Sequence, residues 1–560
     1  MRINLSFQYK KWVAACAVLI CLTACNPAPK YARPPAQTPQ AFKEAIPQEY
    51  KEGSGWKLAQ PGDDHIRGKW WEIYKDPQLN ALEEQVAISN QNVALAEANF
   101  RAARSQVAYA RASLFPAVSA GPSYTNSRFS QTSRGVNVIG GGTAAGGGTT
   151  GTGVGTGTGT TGTGITGTGT TGTGTGTTGT GTSGGSSSGV GGTSTTGVLN
   201  NFSFPIDVTY TVDLWHRIRN TVAANTYSAE ASAADIATAL LSTQSELAQD
   251  YFQIRALDAQ RGILRETVAN YRQTLNLTLA RFRGGIASDE DVSQAQTQLD
   301  TTIAQETDVS VARATYEHAI ATLIGKPPAS FSLPVAPFVP EPPPVPVAVP
   351  SELLERRPDI ASAERRVAAA NAEIGVARAA YYPNLSLSIA GGLQSSQVSQ
   401  WFTWPSRFWS LGPTLAETVF DAGARRAITE QARANYDAAV ATYRQTVLND
   451  FQSVEDNLST LRILSQELDE QRTAVRSANR YLDLSLVRYR GGVDDYLNVI
   501  TAQNTVLTNR ETEIQLQLRQ MTASVSLILA LGGGWDTSQL PKPQQLSAKQ
   551  PKQPGAGSSN

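Results

Sequence analysis

The sequence predicts an α+β membrane protein that is internally duplicated, with four transmembrane β-strands and long coiled-coil helices in each chain. Three observations support this fold class. Short motifs recur at a constant spacing, which indicates two copies of one unit of about 200 residues. Two stretches of more than 120 residues contain no proline and can therefore form long helices. Four other segments alternate apolar and polar residues, as strands with two different faces do.

The N terminus predicts a lipoprotein signal peptide over residues 1–24. Arg2, Lys10 and Lys11 precede an apolar run at 12–22 that is too short to span a membrane, which takes about 20 residues. The run ends in Leu-Thr-Ala-Cys, which resembles the lipobox of bacterial lipoproteins, so we expect Cys25 to carry the lipid. The alternative is an ordinary secretory signal that is cut elsewhere. The proline-rich residues 25–64 are then an extended, lipid-anchored tether.

The duplication is visible in repeated motifs. The segment Arg-Phe-Arg-Gly-Gly-Ile at 281–286 returns as Arg-Tyr-Arg-Gly-Gly-Val at 488–493, an offset of 207 residues. Upstream, Ala-Arg-Ala at 110–112 matches 377–379 with an offset of 267 residues, so the first copy contains an insert of 60 residues. From 141 to 197, 52 of 57 residues are Gly, Thr or Ser. Such a tract has almost no apolar side chain to bury, so we expect disorder.

The proline-free stretches predict one long helix in each copy. In the second copy, seven apolar residues follow each other at intervals of seven from Val440 to Leu482. The first copy has the same pattern from Ala233 to Leu275, broken only by Arg261. A seven-residue apolar repeat is typical of helices that coil around each other. Paired glycines then end each long helix and reverse the chain into a second helix, at 288–323 and at 494–531.

The alternating segments predict four strands, at about 118–124, 202–214, 384–389 and 409–415. Their lengths suit transmembrane strands, and neighbouring aromatic residues suit a membrane interface. Four strands are too few to close a barrel, and lipid does not tolerate an open sheet edge. The chain should therefore oligomerise, with two chains supplying eight strands or three supplying twelve.

These features together resemble the TolC-like outer-membrane efflux factors, and most closely the NodT-type lipoprotein branch that serves resistance-nodulation-division (RND) pumps. The resemblance covers residues 65–536 and rests on motifs in a fixed order, beginning with Trp70-Trp71 and Asp76-Pro77. The remaining motifs are Glu355-Arg356-Arg357-Pro358-Asp359, Ala377-Arg378-Ala379, Phe420-Asp421-Ala422-Gly423, the Arg488–Val493 segment and Ala530-Leu531-Gly532-Gly533-Gly534-Trp535.

The resemblance implies a homotrimer in the bacterial outer membrane. Its twelve-stranded barrel would cross the membrane, and its helices would form a periplasmic tunnel that meets a membrane-fusion adaptor and an inner-membrane RND pump. The Gly/Thr-rich insert would then be an extracellular loop, either simply tolerated, or a surface plug or a site for O-linked glycan.

The resemblance also implies a periplasmic gate at the helix tips. In this family a leucine and, one turn later, an aspartate surround the pore after the second Gly-Gly turn. Leu497 matches the leucine, but Thr501 stands at the aspartate position, which places a carboxylate ring there in doubt. Asp494 and Asp495 lie nearby and would bring six negative charges to a trimer's tip. They also suit plain capping of the following helix.

The turn residues themselves are candidates for docking the adaptor. They are Arg283, Gly284, Gly285, Arg490, Gly491 and Gly492.

Composition excludes several other functions. The 47 basic and 47 acidic residues give no net charge, so no nucleic-acid partner is expected. All three cysteines precede residue 26, and the three histidines stand far apart, so we expect no metal, cofactor or catalytic site. The predicted function is a passive efflux duct. The alternatives are a duct for type I protein secretion and a surface-displayed structural or adhesive lipoprotein.

The remaining boundaries follow from these elements. We predict a first repeat in two parts at 65–128 and 200–330, the Gly/Thr-rich loop at 129–199, a proline-rich linker at 331–350, a second repeat at 351–536 and a disordered tail at 537–560.

Overall fold

The computed structural model describes residues 26–36, 39, 42–43, 69–128, 199–338, 342–343, 355–535 and 537–547. The predicted signal peptide, Cys25 and nearly all of the Gly/Thr-rich loop lie outside these residues. The chain divides into a helical unit (1–117, 209–388 and 412–560) and a strand unit (118–208 and 389–411).

The helical unit repeats one pattern of helices in both copies. In the first copy a 3-10 turn at Trp70–Tyr74 precedes α1 (Pro77–Ser89), α2 (Gln91–Ala112), α3 (Arg217–Arg283) and α4 (Asp289–Leu323). The second copy contains α5 (Pro358–Ala379), α6 (Ala424–Arg490) and α7 (Tyr496–Ala530), and a short α8 (Pro543–Ser547) follows. Among the described residues, no helix is both long and apolar enough to cross a membrane.

The two long helices are continuous, as predicted. Each has 67 residues, which corresponds to about 100 Å at 1.5 Å per residue. The seven-residue pattern supplies their buried side, because Val447, Val454, Leu461 and Leu468 are all buried in α6. The hairpin partners α4 and α7 also begin and end within two residues of the predicted limits.

The shorter helices meet end to end in both copies. The side chain of Asn90, the N-cap of α2, donates to the carbonyl of Leu323 at the end of α4 (2.7 Å). Arg357, before α5, donates to the carbonyl of Ala530 at the end of α7 (3.0 Å). The linking glycines Gly325 and Gly532 have positive φ, and a Cβ on either would lie within 2.3 Å of a backbone oxygen. Glycine is therefore required at both junctions.

These junctions keep the helical unit four helices wide along α3 and α6. The N-terminal half of α3 packs between α2 and α5, and α6 packs on the other side of α5. The C-terminal half of α3 packs between α4 and α7, with α6 beside α7. In each half the row therefore has two end helices, α2 or α4 on one side and α6 on the other.

The strands form one sheet that includes β1 (Ala117–Ala120), β2 (Ser123–Ser127), β3 (Leu199–Val212), β4 (Asn384–Ser395) and β5 (Arg407–Ala416). The order is β1-β3-β4-β5, and β2 also pairs with β3, antiparallel, with Ser123 opposite Ser203. The first predicted strand is thus interrupted. The break falls at Gly121-Pro122, because proline has no N–H to donate to the sheet.

The C-terminal segment differs from its prediction. A disordered tail was expected from residue 537, but residues 537–547 are ordered and include α8. Leu546 is buried against Val107 and Ala229, and Arg104 donates to the carbonyl of Gln545 (3.0 Å). One apolar side chain and a cluster of backbone acceptors therefore hold this segment against α2.

Candidate functional site

The predicted site residues lie at two helix-to-helix turns with the same backbone geometry. After α3, Gly285 has φ 75°, and the amide of Ile286 donates to the carbonyl of Arg281 (2.9 Å). After α6, Gly492 has φ 74°, and the amide of Val493 donates to the carbonyl of Arg488 (3.0 Å). Each glycine thus supplies the left-handed residue that ends a helix and reverses the chain.

The two turns differ in how the next helix begins. Ser288 caps α4 through a reciprocal pair of bonds with Asp291, a capping box. Asp495 occupies the cap position of α7, but its side chain makes no capping bond. Asp494 instead accepts from the Nε of Arg488 (2.9 Å) and from the side chain of Asn498 (3.0 Å). The two aspartates therefore have different environments, with Asp494 in an ion pair and Asp495 exposed.

Leu497 and Thr501 lie on one exposed face of α7. Leu497 is 61% exposed, and the hydroxyl of Thr501 donates to the carbonyl of Leu497 one turn earlier (2.9 Å). The opposite face of α7, with Val499 and Ala502, is buried against the chain's own helices. The predicted gate residues thus share a face that the chain itself does not cover.

The predicted docking residues form the exposed ends of the two turns. Arg283, Gly284 and Gly285 are exposed at the first turn, and Arg490, Gly491 and Gly492 are exposed at the second. Neither arginine has an ion pair within the part of the chain that the structure describes. Two uncompensated cations therefore remain available at the tips.

An apolar and aromatic cluster holds the two tips together beneath this surface. Tyr489 and Tyr496 are buried with their ring centroids 5.5 Å apart. The guanidinium of Arg281, on α3, lies 4.4 Å from the ring centroid of Tyr489 and also donates to the carbonyl of that residue. Burial raises the pKa of Tyr496, so its hydroxyl stays neutral. These contacts join the first copy to the second.

Further along the hairpins, mostly uncharged side chains continue this connection. Gln298 donates to Asn504 (2.6 Å), and Gln503 donates to Thr274 (3.1 Å). An ion pair between Arg510 and Glu266 (3.0 Å) follows.

The sequence analysis did not identify Arg281, Tyr489 or Asn504 as functional residues. Arg281 and Arg488 occupy equivalent positions of the duplication, yet one contacts a tyrosine and the other an aspartate. Only that inequality between equivalent positions was visible beforehand.

No group of three or more acidic, histidine or cysteine side chains in the described ranges has the arrangement of a metal site. Cys25, the predicted lipidation site, lies outside the described residues.

Comparison with known proteins identifies the family. The sequence profile of the family "Outer membrane efflux protein" matches residues 173–326 and 349–533, more than half of the chain. The chain belongs to this family. The predicted resemblance to outer-membrane efflux factors, the efflux function and the outer-membrane location are therefore confirmed.

Individual relatives agree with this assignment. The toluene efflux pump outer membrane protein TtgC of Pseudomonas putida is 28% identical over 537 residues, which are 95% of this chain and 97% of TtgC. The pyoverdine export outer membrane protein OpmQ of Pseudomonas aeruginosa is 33% identical over 352 residues, 62% of this chain and 73% of OpmQ. The CmeC outer membrane channel of Campylobacter jejuni shares the fold, with a TM-score of 0.71 at 20% identity over 92% of this chain and 96% of CmeC.

Proposed function

We propose that this protein is the outer-membrane exit duct of a tripartite RND-type efflux pump and works as a homotrimer. The observation that carries this proposal is that both units end in uncovered elements. The helical row ends at α2 or α4 on one side and at α6 on the other. The sheet ends at β1 and β2 on one side and at β5 on the other.

The end helices expose apolar side chains on their free faces. On α2, Leu95 and Tyr109 are exposed and lie two heptads apart. On α6, Leu448 and Ile463 are more than half exposed. Apolar surface of this kind favours a partner, and two different faces that meet head to tail generate a closed ring. We infer that α6 of one chain packs beside α2 and α4 of the next.

The sheet supports the same assembly. Its edge strands have unpaired backbone groups, which lipid does not tolerate. If the interrupted β1–β2 counts as one strand, each chain contributes four, and three chains close a barrel of twelve. Large apolar side chains such as Trp409 and Leu411 are exposed on β5, as a lipid-facing surface requires.

The gate of this duct consists of Leu497 and Thr501, with Asp494 and Asp495 at its rim. Three leucines that meet at the axis would form an apolar constriction. Because Thr501 is uncharged, the constriction carries no carboxylate ring at its own level. The rim aspartates then supply a preference for cations.

The partners are a periplasmic adaptor and an inner-membrane pump. The exposed turns, with Arg283 and Arg490, are the docking surface for the adaptor. The pump supplies the energy and selects the cargo, which we infer to be small molecules, since TtgC is named for toluene and OpmQ for pyoverdine. The chain itself has no catalytic role.

We further propose that Cys25 is lipidated, as in the NodT-type branch, so that the acyl chains anchor the N terminus in the outer membrane. The Gly/Thr-rich loop would then face the exterior.

The decisive experiment measures the mass of the detergent-purified protein together with its conductance in planar bilayers. We expect a trimer and discrete ion-conducting events, and in a deletion strain we expect accumulation of fluorescent pump substrates that the intact gene reverses. Single subunits without conductance would favour the adhesive lipoprotein instead. Normal dye efflux combined with a loss of exported protein would favour the secretion duct.

A further inference from the structure

The segment directly after Cys25 does not hang free of the helical unit. Residues 26–36, called the N-terminal strap below, have neither helix nor strand and lie along α3, α5 and α6. Arg378 donates to the carbonyl of Pro27 (3.3 Å), and Asn371, seven residues earlier, donates to that of Pro29 (3.0 Å). The strap therefore runs antiparallel to α5.

The body recognises the strap mainly through its carbonyl groups. Proline has no N–H, so a proline-rich extended segment presents acceptors without matching donors. The helices supply the donors: besides Asn371 and Arg378, Arg444 of α6 donates to the carbonyl of Pro35 (3.4 Å). Tyr31 adds a side-chain anchor, because its hydroxyl bonds to Glu364 and its ring lies 6.4 Å from that of Tyr227.

A glycine in α5 makes room for the strap. A Cβ at Gly375 would lie 2.5 Å from the Cβ of Ala28 and 2.7 Å from the Nδ2 of Asn220. Glycine within a helix costs about 1 kcal/mol relative to alanine, so its presence here needs a local reason. The close approach of Ala28 is that reason.

The strap begins at a defined level of the chain. The side-chain oxygen of Asn26 accepts from Asn220 (3.2 Å), which belongs to the first turn of α3, shortly after β3 ends. Arg378, the partner of Pro27, lies at the end of α5, shortly before β4 begins. In both copies, then, the start of the strap lies where a strand gives way to a helix.

We propose that α3, α5 and α6 form a docking groove for the mature N-terminal segment of the same chain. The strap joins helices of the first copy to helices of the second. It also fixes the residue before Asn26 at the strand–helix junction, so that a lipid on Cys25 enters the membrane at a set height rather than from a loose tether. Only this last consequence rests on the proposed lipidation.

Limited trypsin digestion of the full-length protein in detergent tests the groove, because Lys30 and Arg33 lie within the strap. We expect slow cleavage there in the wild type and roughly tenfold faster cleavage in Gly375→Ala, which corresponds to about 1.4 kcal/mol of lost docking free energy. Gly262→Ala is the matched control, since it also replaces a helical glycine but its Cβ would meet nothing within 4 Å. Equal cleavage rates in the two variants would overturn the proposal.

A second variant covers the case in which Gly375→Ala does not fold. The double change Asn371→Ala and Arg378→Ala removes two donors without adding volume and should also speed cleavage at Lys30, while unchanged cleavage would count against the groove. The mass of the released fragment reports the lipid separately. A protected fragment without acyl chains would refute lipidation and leave the docking intact, whereas an acylated fragment with no response to either variant would refute the docking alone.

Discussion

Glu83 is a buried carboxyl group without a partner. It is 0% exposed on α1, and neither of its oxygens has a hydrogen-bond partner among the described residues. Burial without a compensating charge raises the pKa of Glu83 to about 9. The side chain is therefore neutral in the folded protein at neutral pH, whereas it is ionised once the chain unfolds.

This difference predicts a pH-dependent stability. Between pH values of about 4.5 and 9 the folded state holds a proton that the unfolded state has released, so stability falls as the pH rises, by at most about 1.4 kcal/mol per pH unit. Glu83→Gln removes the ionisable group and keeps the shape. We expect the variant to gain thermal stability over the wild type at pH 8.5, and to gain less at pH 5.5, in calorimetric scans.

The neighbouring residue provides the control. Glu84 is exposed and pairs with Lys69, so Glu84→Gln should change the melting temperature little and by the same amount at both pH values. A Glu83→Gln variant whose advantage does not grow with pH would show that the carboxyl is ionised or solvated in the folded protein.

At the scale of elements, the duplication makes α4 and α7 a natural comparison. Both follow a Gly-Gly turn, but only Ser288 makes a side-chain cap, while Asp495 does not. Loss of a bonded cap typically costs about 1 kcal/mol, and an exposed aspartate near a helix N terminus contributes only a few tenths through the helix dipole. Ser288→Ala should therefore destabilise the start of α4 more than Asp495→Ala destabilises the start of α7.

Hydrogen–deuterium exchange at individual peptides measures this difference. We expect the first turn of α4 to exchange roughly fivefold faster in Ser288→Ala, and the first turn of α7 to change by less than about twofold in Asp495→Ala. If the second variant showed the larger effect, Asp495 would be the functional cap and its structural assignment as an exposed rim residue would be wrong.

The elements also show what a sequence can and cannot predict. The limits of α6 were predictable because its apolar residues recur every seven positions between Gly423 and Gly491, so a local pattern decides the structure. The break at Gly121-Pro122 was visible in the sequence but not as a break, since proline is also tolerated at a strand edge. The bond between Asn371 and Pro29, and the contact of Arg281 with Tyr489, join residues hundreds of positions apart. No local pattern encodes such pairs.

At the scale of the whole molecule, the gate proposal makes a prediction about conductance. Leu497 is mostly exposed in the single chain, and in a trimer three copies would meet at the pore axis. An apolar constriction excludes water and ions, so a polar replacement should open it. We expect Leu497→Ser to increase the single-channel conductance or the fraction of time spent open in planar bilayers.

The matched control separates a pore-facing leucine from any exposed apolar residue at a tip. Ile286, in the first turn, is exposed to a similar extent but belongs to the other hairpin. Ile286→Ser should leave the conductance unchanged, because its position is equivalent to Val493 and precedes the gate helix. If both variants increased the conductance, the effect would come from loosening of the tips in general. If neither did, the constriction would lie elsewhere, and the uncovered face of α7 would belong to an interface between chains rather than to the pore.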